Sequence, residues 1–348
     1  MSGRLQVLDC TLRDGGRGLE DLNKNGSKIH AFTEEDKQGI VCNLRDSGID
    51  IIEIGSISMS KEYKGLEKYA IYSNVEELSK YVPDRIESGK IYTGFYIDPD
   101  TPIENIPEYS PELVNGIRVC IRYSQLQESI DYCKGLARKG YKIFIQPMLT
   151  MRYTDDELKR LVYSANEMEA YALYFVDSFG YMNEKDVERL YRLYAEDLDK
   201  NIKIGFHAHN NMENAMGNVR FFIEKLMDRD CIVDSCAMGM GQGAGNLQTE
   251  VLIEYLNRTR KAEYNFEKIL ETCDSVEKFR VHDMETWGYS PVRLISAVHS
   301  VAYKYAVALR VEYGMSLVEI NRVLTDVPDE LRHRYTPENL KIILDKRH

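Results

Sequence analysis

The fold class is decided by residues 141–209, which read YKIFIQP (141–147), TDDELKRLVYSANEM (154–168), ALYFV (172–176), NEKDVERLYRLYAEDL (183–198) and IKIGFHAH (202–209), with short connections between them. The first, third and fifth pieces are short apolar runs rich in β-branched and aromatic residues, as in buried strands. In the second and fourth pieces apolar residues recur every three or four positions, as in amphipathic helices. The alternation predicts parallel strands joined by helical crossovers.

The same alternation extends over residues 1–262 and gives eight strand-like runs. Helix starts between the runs are marked by Thr33, by Asn183 and by a capping box from Thr154 to Glu157. Eight strand–helix units predict an α/β fold of the (β/α)8 TIM-barrel type. A doubly wound open sheet is the alternative, but no GxGxxG motif follows the first run. The runs are Leu5–Cys10, Ile49–Ile54, Ile91–Ile97, Gly116–Ile121, Tyr141–Gln146, Ala172–Val176, Ile202–His207 and Cys231–Cys236.

After residue 262 only helical signals remain, so we expect a TIM-barrel domain at residues 1–262 and a helical C-terminal extension at residues 263–348. The stretch Gly15–Ala31, rich in Gly, Asn and Lys, follows the first predicted strand. It is expected to be an irregular lid on the catalytic face. The helical signals of the extension are Phe266–Phe279, Pro291–Val311, Ser316–Leu324 and Pro337–Leu344.

Composition and charge exclude several classes of protein. The 348 residues carry 45 Lys and Arg against 56 Asp and Glu, a net charge of −11, so their average field repels nucleic acid and anionic membranes. The first residues lack the apolar core of a signal peptide, and no run approaches the roughly 20 apolar residues of a membrane span. We therefore expect a cytoplasmic protein without a membrane or nucleic-acid partner. Its 7 cysteines form no CxxC pair and are expected to be reduced.

His207 and His209 stand at the end of the seventh predicted strand, in the sequence HAHN. Residues i and i+2 of a strand point to one face, about 6.6 Å apart along the chain, so both imidazoles can reach one ion. Catalytic groups of TIM barrels lie at the carboxyl ends of the strands. The spacing therefore favours a metal site over the alternative, two hydrogen-bonded core histidines.

The first two predicted strands add charged side chains: Arg13 and Asp14 follow the first strand, and Glu53 lies inside an apolar run. Inward side chains of alternate strands share a layer, so we expect Asp14 to meet the two histidines. A buried Glu53 needs a cation, for which Arg13 is the predicted partner. The alternative for Arg13 and Asp14 is an ion pair at the rim. Two imidazoles and one carboxylate predict an open site for Mn²⁺, Mg²⁺ or Co²⁺, with Zn²⁺ and Fe²⁺ as further candidates.

Together with the glycine loop GMGQGAGN at residues 239–246, these segments resemble the DRE-TIM metallolyases, the superfamily of HMG-CoA lyase. The match to the 4-hydroxy-2-oxovalerate aldolases within it rests on TLRDG at residues 11–15, the short glycine loop and ETWGY at residues 285–289. The resemblance implies that a divalent metal is held by Asp14, His207 and His209, with Asn246 beside it. It also implies that pyruvate binds there as an enolate stabilised by Arg13.

The sequence departs from the aldolases at Arg17, where they have a histidine base three residues after the aspartate. Arginine cannot take a proton near neutral pH. Either another group is the base or Arg17 binds an anionic group of the substrate. Tyr289, which aligns with a family tyrosine, is the predicted catalytic group, and His282 and Asp177 are further candidate bases. Polar contacts to the variable part of the substrate are predicted for Arg122, Gln146 and Asp177.

The leading functional expectation is a divalent-metal-dependent class II aldolase, a lyase that joins pyruvate to an aldehyde or cleaves their product. One alternative is a Claisen-type synthase that condenses an acyl-CoA with a 2-oxo acid. Another is a non-catalytic barrel subunit, because a fold does not guarantee an activity. The predicted small-molecule partners are a 2-oxo acid and an aldehyde. We expect a homodimer, and the resemblance adds an acylating aldehyde dehydrogenase as a candidate protein partner.

Overall fold

Nine β-strands organise the residues that the computed structural model describes, namely 3–24, 30–96, 101–280 and 286–345. In chain order they are β1 (Leu5–Asp9), β2 (Ile51–Ile57), β3 (Ile71–Tyr72), β4 (Ile91–Tyr96), β5 (Gly116–Ile121), β6 (Lys142–Pro147), β7 (Ala172–Asp177), β8 (Lys203–Ala208) and β9 (Cys231–Ser235).

Eight of these strands form a closed parallel ring in the order β1-β2-β4-β5-β6-β7-β8-β9, and β9 pairs with β1 to close it. The short β3 lies outside the ring and pairs with the end of β2. Each of the eight predicted runs contributes one strand of the ring. The predicted (β/α)8 TIM barrel is confirmed.

Thirteen α-helices lie within the described residues. Capping boxes begin the helices that follow Thr33, Thr154, Asn183 and Ser316. In chain order the helices are α1 (Thr11–Lys24), α2 (Glu34–Asp46), α3 (Val75–Ser79), α4 (Leu126–Arg138), α5 (Asp155–Glu167), α6 (Glu184–Asp197), α7 (Ala215–Phe221), α8 (Thr249–Arg260), α9 (Phe266–Glu277), α10 (Pro291–Val298), α11 (Tyr303–Val311), α12 (Leu317–Thr325) and α13 (Pro337–Asp345).

The barrel interior changes from apolar to polar along the strands. Ile51 of β2 and Ile232 of β9 belong to one buried apolar cluster inside the ring. Two residues further along the same strands stand Glu53 and Asp234, each 1% exposed. Side chains two residues apart share a face of a strand, so these carboxylates also point inward. A polar layer therefore lies on the apolar cluster, towards the carboxyl ends of the strands.

The C-terminal extension is helical, as predicted, and its first helix packs differently from the rest. Ile269 and Val276 of α9 belong to the apolar core between barrel and helices. The helices α10 to α13 bury a separate cluster that includes Tyr305, Ile320 and Leu340. Among the described helices none has both the length and the apolar composition needed to cross a bilayer.

Three local expectations were wrong. The stretch from Gly15 was expected to be irregular, but α1 runs through it to Lys24, while residues 25–29 lie outside the described part. Glycine-rich sequence has low helix propensity, yet close packing requires it here, since a Cβ on Gly16 would lie 2.0 Å from the Tyr69 carbonyl oxygen. The strand–helix alternation also predicts a helix between β4 and β5, but the described residues there contain only a 3₁₀ turn, Ile103–Asn105.

A single helix was predicted at Pro291–Val311, but the structure has two helices there. Ser300, between them, adopts the left-handed conformation with φ 50°.

Asp9 ends β1 and is fully buried. One of its carboxylate oxygens accepts the Thr11 amide at 2.9 Å, and the other accepts the Thr249 hydroxyl at 2.6 Å. Burial raises the pKa of Asp9 from 3.8 to about 6, although these hydrogen bonds oppose the shift. A carboxyl group with a raised pKa in the folded chain stabilises the fold most below pH 4. It loses that contribution as the pH rises through 6.

We expect Asp9→Asn to increase the stability of the protein, relative to the parent chain, more at pH 7.5 than at pH 4. At pH 7.5 the buried Asp9 must ionise at a cost in free energy, whereas an amide carries no charge at either pH. The gain in the free energy of unfolding relative to the parent chain should grow by up to about 3 kcal/mol between these pH values. Urea denaturation at both pH values measures it. Other titrating groups cancel in the difference between the two chains, so a difference that does not vary with pH would contradict the prediction.

Candidate metal centre

Asp14, His207 and His209 converge at the carboxyl end of the barrel. Asp14 lies in the first turn of α1, and the two histidines stand at the end of β8. The Asp14 Oδ2 atom is 3.9 Å from His207 Nε2 and 4.0 Å from His209 Nε2. One potential ligand atom from each residue lies within 4.8 Å of the other two. Three such atoms can face a single ion.

Hydrogen bonds fix the orientation of both imidazoles. His207 Nδ1 is 2.8 Å from Asp234 Oδ2, and His209 Nδ1 is 2.8 Å from the Asp177 carbonyl oxygen. When Nδ1 donates to such an acceptor, the Nε2 lone pair faces Asp14 and is free for a ligand. The alternative, two hydrogen-bonded core histidines, accounts for the contacts of the Nδ1 atoms but not for the approach of both Nε2 atoms to Asp14.

The protonation states of the three groups suit a cation. Burial, with His209 and Arg13 nearby, lowers the pKa of His207 well below its ordinary value, and burial lowers that of His209. Both imidazoles are therefore neutral at neutral pH. Burial opposes ionisation of Asp14, but the charge of Arg13 and the hydrogen bond from Asn246 favour the carboxylate, and the pKa of Asp14 is lowered to about 2. Two neutral nitrogens and one carboxylate result.

Arg13 joins the centre to the polar layer of the barrel. Its Nε donates to Glu53 Oε2 at 2.7 Å, and its Nη1 donates to Asp14 Oδ1 at 2.8 Å. Both interpretations of Arg13 thus describe real contacts, the pair with Glu53 and the pair with Asp14. Its guanidinium also lies 4.5 Å from the centroid of the Phe95 ring. Among the described residues the Arg13 Nη2 group has no hydrogen-bond partner, so it can donate to a substrate oxygen.

Sequence reasoning missed two residues of this network, Arg118 on β5 and Asp234 on β9. Arg118 is fully buried and donates to Glu53 at 3.1 Å, to Gln146 at 2.7 Å and to Asp234 at 2.6 Å. Asp234 in turn orients His207. The signal was available, since each is a charged residue inside an apolar run, the same pattern that identified Glu53.

Asp234→Asn is expected to weaken Mn²⁺ binding about 10- to 100-fold, because hydrogen-bond partners that orient a metal-ligating histidine contribute this much. Titration of the protein with Mn²⁺, followed by the electron paramagnetic resonance of the free ion, measures the loss. Asp230→Asn is the matched control, since the Asp230 carboxylate bonds the exposed Arg4 amide and not a histidine. Equal affinity in the Asp234 variant and the parent chain would show that Asp234 does not hold His207 in place.

The glycine loop positions Asn246 beside Asp14. Asn246 Nδ2 donates to Asp14 Oδ2 at 2.5 Å, and the Asn246 amide donates to the Gly239 carbonyl oxygen at 3.0 Å. A Cβ on Gly241 would lie 2.4 Å from Asn246 Nδ2 and 3.2 Å from Asp14 Oδ2, so only glycine allows this approach. The Asn246 Oδ1 atom is buried without a hydrogen-bond partner among the described residues.

These residues fit a divalent cation. Asp14, His207 and His209 offer two neutral nitrogens and one carboxylate, and mixed N and O donors suit such ions. The unpartnered oxygen of Asn246 belongs to a side chain that is bonded to the same carboxylate. Two other groupings involve Cys10, one with His207 and Asp234 and one with Asp14 and Cys236. Burial raises the pKa values of Cys10 and Cys236, so both thiols stay protonated and are poor ligands.

The structure gives the remaining predicted residues different surroundings. Gln146 accepts a hydrogen bond from Arg118 within the barrel. The Asp177 carboxylate accepts the amides of Tyr181 and Met182 at 2.9 and 3.1 Å. Arg122 follows β5 directly and is partly exposed.

Two residues of the tail were also predicted for the site. Tyr289 is 50% exposed, and its hydroxyl makes no hydrogen bond to a residue that the structure describes. Its role stays a prediction. His282 lies outside the described residues. The neighbouring Trp287 docks the tail beside the glycine loop, because its Nε1 donates at 2.9 Å to the carbonyl oxygen of Met238, the residue before that loop.

The HMGL-like family model matches residues 115–276, a range that contains β5 to β9 with both histidines. Over 262 residues the chain is 30% identical to the 4-hydroxy-2-oxovalerate aldolase of Thermomicrobium roseum, which covers 73% of this chain and 67% of that relative. The chain belongs to the HMGL-like family. The resemblance to the DRE-TIM metallolyases is confirmed.

Two names occur among the relatives of similar sequence that are described below. Several more are named 4-hydroxy-2-oxovalerate aldolase. One from Mycobacterium tuberculosis is named oxaloacetate decarboxylase and is 24% identical over 322 residues, 91% of this chain and 89% of that protein. Among solved structures, the N-terminal domain of a Bacteroides vulgatus protein provisionally described as an aldolase has a TM-score of 0.70 at 22% identity. It covers 90% of this chain and 99% of that domain, a likeness that shows the fold.

Proposed function

We propose that this HMGL-like chain is a divalent-metal-dependent aldolase that forms or cleaves the bond between pyruvate and an aldehyde. The observation that carries the proposal is the approach of Asp14 Oδ2 to the Nε2 atoms of His207 and His209, with the Arg13 guanidinium bonded to the same carboxylate. Asp14, His207 and His209 would hold the cation, with Asn246 either as a further ligand or beside it through its bond to Asp14. When bound, Mn²⁺ or Mg²⁺, with Co²⁺ or Zn²⁺ as alternatives, would act as a Lewis acid towards a 2-oxo acid.

The protein's own groups account for the charge that develops in the cleavage direction. The substrate C4 hydroxyl loses its proton, the C3–C4 bond breaks to release the aldehyde, and the electron pair moves onto the C2 oxygen as an enolate. We assign the stabilisation of that oxygen to Arg13 Nη2, because Glu53 and Asp14 hold the guanidinium in place before the reaction. A proton added at C3 completes pyruvate. Tyr289 stays our predicted proton acceptor for the C4 hydroxyl.

The names of the relatives support a pyruvate enolate as the shared chemistry. Cleavage of 4-hydroxy-2-oxovalerate gives pyruvate and acetaldehyde, and decarboxylation of oxaloacetate gives pyruvate and CO₂. Both reactions break the C3–C4 bond of a 2-oxo acid and leave the electrons on the pyruvate portion. Decarboxylation is therefore our second candidate, supported by the relative of that name. CO₂ release from oxaloacetate would identify it.

Solvent deuterium exchange tests the enolate directly. Pyruvate in D₂O with the protein and Mn²⁺ should lose its methyl protons at least about tenfold faster than with a chelator present, as mass spectrometry would measure. Absence of metal-dependent exchange would overturn the proposal. Thiol release from acetyl-CoA with a 2-oxo acid would instead identify the Claisen-type synthase. Lack of Mn²⁺ binding, unchanged by His207→Ala, would identify a non-catalytic subunit.

We further propose that the chain forms a homodimer and works in the cytoplasm. An aldehyde dehydrogenase that takes the aldehyde product stays a candidate partner from the family resemblance. Sedimentation velocity of the purified protein tests the dimer.

A further inference from the structure

Arg17 shares helix α1 with two residues of the candidate metal centre. Arg17 belongs to α1, three residues after Asp14 and four after Arg13. Side chains three and four positions apart occupy the same face of a helix, with Cβ atoms about 5–6 Å apart. Arg17 therefore lies one helical turn beyond the residues that form the centre.

Part of this guanidinium is buried without a partner. Its Nη2 donates to the Tyr63 hydroxyl at 3.4 Å, and its Cζ lies 4.9 Å from the centroid of the Tyr63 ring. Its Nη1 is buried, and no described residue accepts a hydrogen bond from it. A buried cationic donor without an acceptor is costly, so this nitrogen is suited to an anion that enters from solution.

The two acidic residues that follow Arg17 on the same helix, Glu20 and Asp21, attract its charge but accept no hydrogen bond from it. Asp21 accepts bonds from Lys304 Nζ at 2.7 Å, from Gln242 at 2.6 Å and from the Tyr303 hydroxyl at 3.0 Å. Glu20 pairs with Lys24. Both carboxylates are thus engaged by other groups.

We infer that Arg17 recognises an anionic group on the aldehyde, so that the substrate is an aldehyde carrying a carboxylate or a phosphate. This inference rests on the proposed aldolase function. Arg13 Nη2 and Arg17 Nη1 have no hydrogen-bond partner among the described residues. The two residues stand four positions apart on α1, which is about 6 Å along the helix axis. That spacing suits a molecule with developing negative charge at its 2-oxo end and a fixed anion at its other end. The planar guanidinium matches both carboxylate and phosphate.

The test compares charged and neutral aldehydes of the same length as partners for pyruvate. Succinic semialdehyde is compared with butanal, and glyceraldehyde 3-phosphate with glyceraldehyde. For at least one pair, kcat/KM of the parent chain should favour the charged aldehyde about 10- to 100-fold, as a charged hydrogen bond provides. The pair that shows the preference identifies carboxylate or phosphate. Arg17→Gln should reduce that ratio to nearly one, and Arg17→Lys should keep part of it.

Lys24→Gln is the matched control, because Lys24 lies over the same Tyr63 ring but is exposed and pairs with Glu20. It should leave the ratio of charged to neutral aldehyde unchanged. Because both aldehydes are measured on the same preparation, a smaller fraction of folded protein lowers both kcat/KM values equally and does not change their ratio.

Three results would overturn the inference while pyruvate exchange persists. The first is equal kcat/KM for the charged and the neutral aldehyde in both pairs. The second is a preference for a charged aldehyde that Arg17→Gln does not change. The third is a rise in the KM for pyruvate in the exchange reaction of Arg17→Gln that equals the loss of kcat/KM with the charged aldehyde. The last would show that Arg17 binds the pyruvate carboxylate instead. Absence of exchange in the parent chain would refute the proposed function itself, so the two failures are distinguishable.

Discussion

Asp14→Asn is expected to weaken Mn²⁺ binding by more than about 100-fold and to reduce pyruvate exchange to the rate without metal. Even the groups that only orient metal ligands contribute 10- to 100-fold, and this substitution removes the single carboxylate of the proposed ligand set. The amide has the same shape but cannot offset a dipositive charge. Titration with Mn²⁺ and the exchange rate measure the two effects.

The matched control for this prediction is Asp21→Asn, two helical turns later on α1. It removes the same charge from the same helix, but its carboxylate bonds Lys304 and Gln242 instead of facing the histidines. Mn²⁺ affinity should stay within about threefold of the parent chain. If Asp14→Asn bound Mn²⁺ as tightly as this control, Asp14 would not be a ligand and the proposed chemistry would lose its basis.

Arg13→Gln is expected to slow pyruvate exchange about 100- to 1000-fold, the usual cost of removing one donor to a developing oxyanion. Mn²⁺ affinity should not fall, because the substitution removes a positive charge bonded to Asp14. A slower reaction on an intact metal site separates Arg13 from the ligands. Arg13→Lys keeps the charge but cannot reach Glu53 and Asp14 with a planar fork, so it should recover little of the rate.

The Arg13 variant also leaves Glu53 with Arg118 as its remaining arginine, so some loss of stability is expected, about 3 kcal/mol for a broken buried pair. Circular dichroism and a melting curve establish the temperature at which the exchange is measured on folded protein. Exchange within threefold of the parent chain, under those conditions, would show that Arg13 does not stabilise the enolate.

The proposed ligands could be predicted because each stands in a short recognisable segment. The HAHN sequence at the end of an apolar run indicates two imidazoles on one face of the strand, and this inference does not depend on how the other strands pack. Asp14 could be placed near them because a closed parallel barrel brings the carboxyl ends of all strands together. The structure gives 3.9 and 4.0 Å for these approaches.

Which charged side chains pair with one another inside the barrel could not be predicted from short segments in the same way. Arg118 and Asp234 are 116 residues apart and meet because the ring closes. Each also bonds another side chain, Glu53 in the case of Arg118 and His207 in the case of Asp234. The pattern of a charge within an apolar run marks such residues as paired. It does not state with which residue.

The α1 helix is the clearest case in which tertiary structure overrode local preference. Three glycines between positions 15 and 18 favour an irregular chain in isolation. In the fold these glycines let the helix approach Tyr69, Met240 and Gly241 closely. The helix that carries Asp14 and Arg17 therefore exists because of packing.

The sequence by itself determined the eight-stranded barrel, the helical tail and the residue types of the proposed ligands, because periodicity and short motifs act through neighbours along the chain. Only the tertiary structure decided which Asp14 oxygen faces the histidines, that Asp234 orients His207 and that one nitrogen of Arg17 lacks a partner. Those outcomes depend on side chains that are distant in sequence and compete for the same hydrogen-bond partners in a buried space. Burial excludes water, so the geometry of the fold decides which groups are bonded and which are left unpaired.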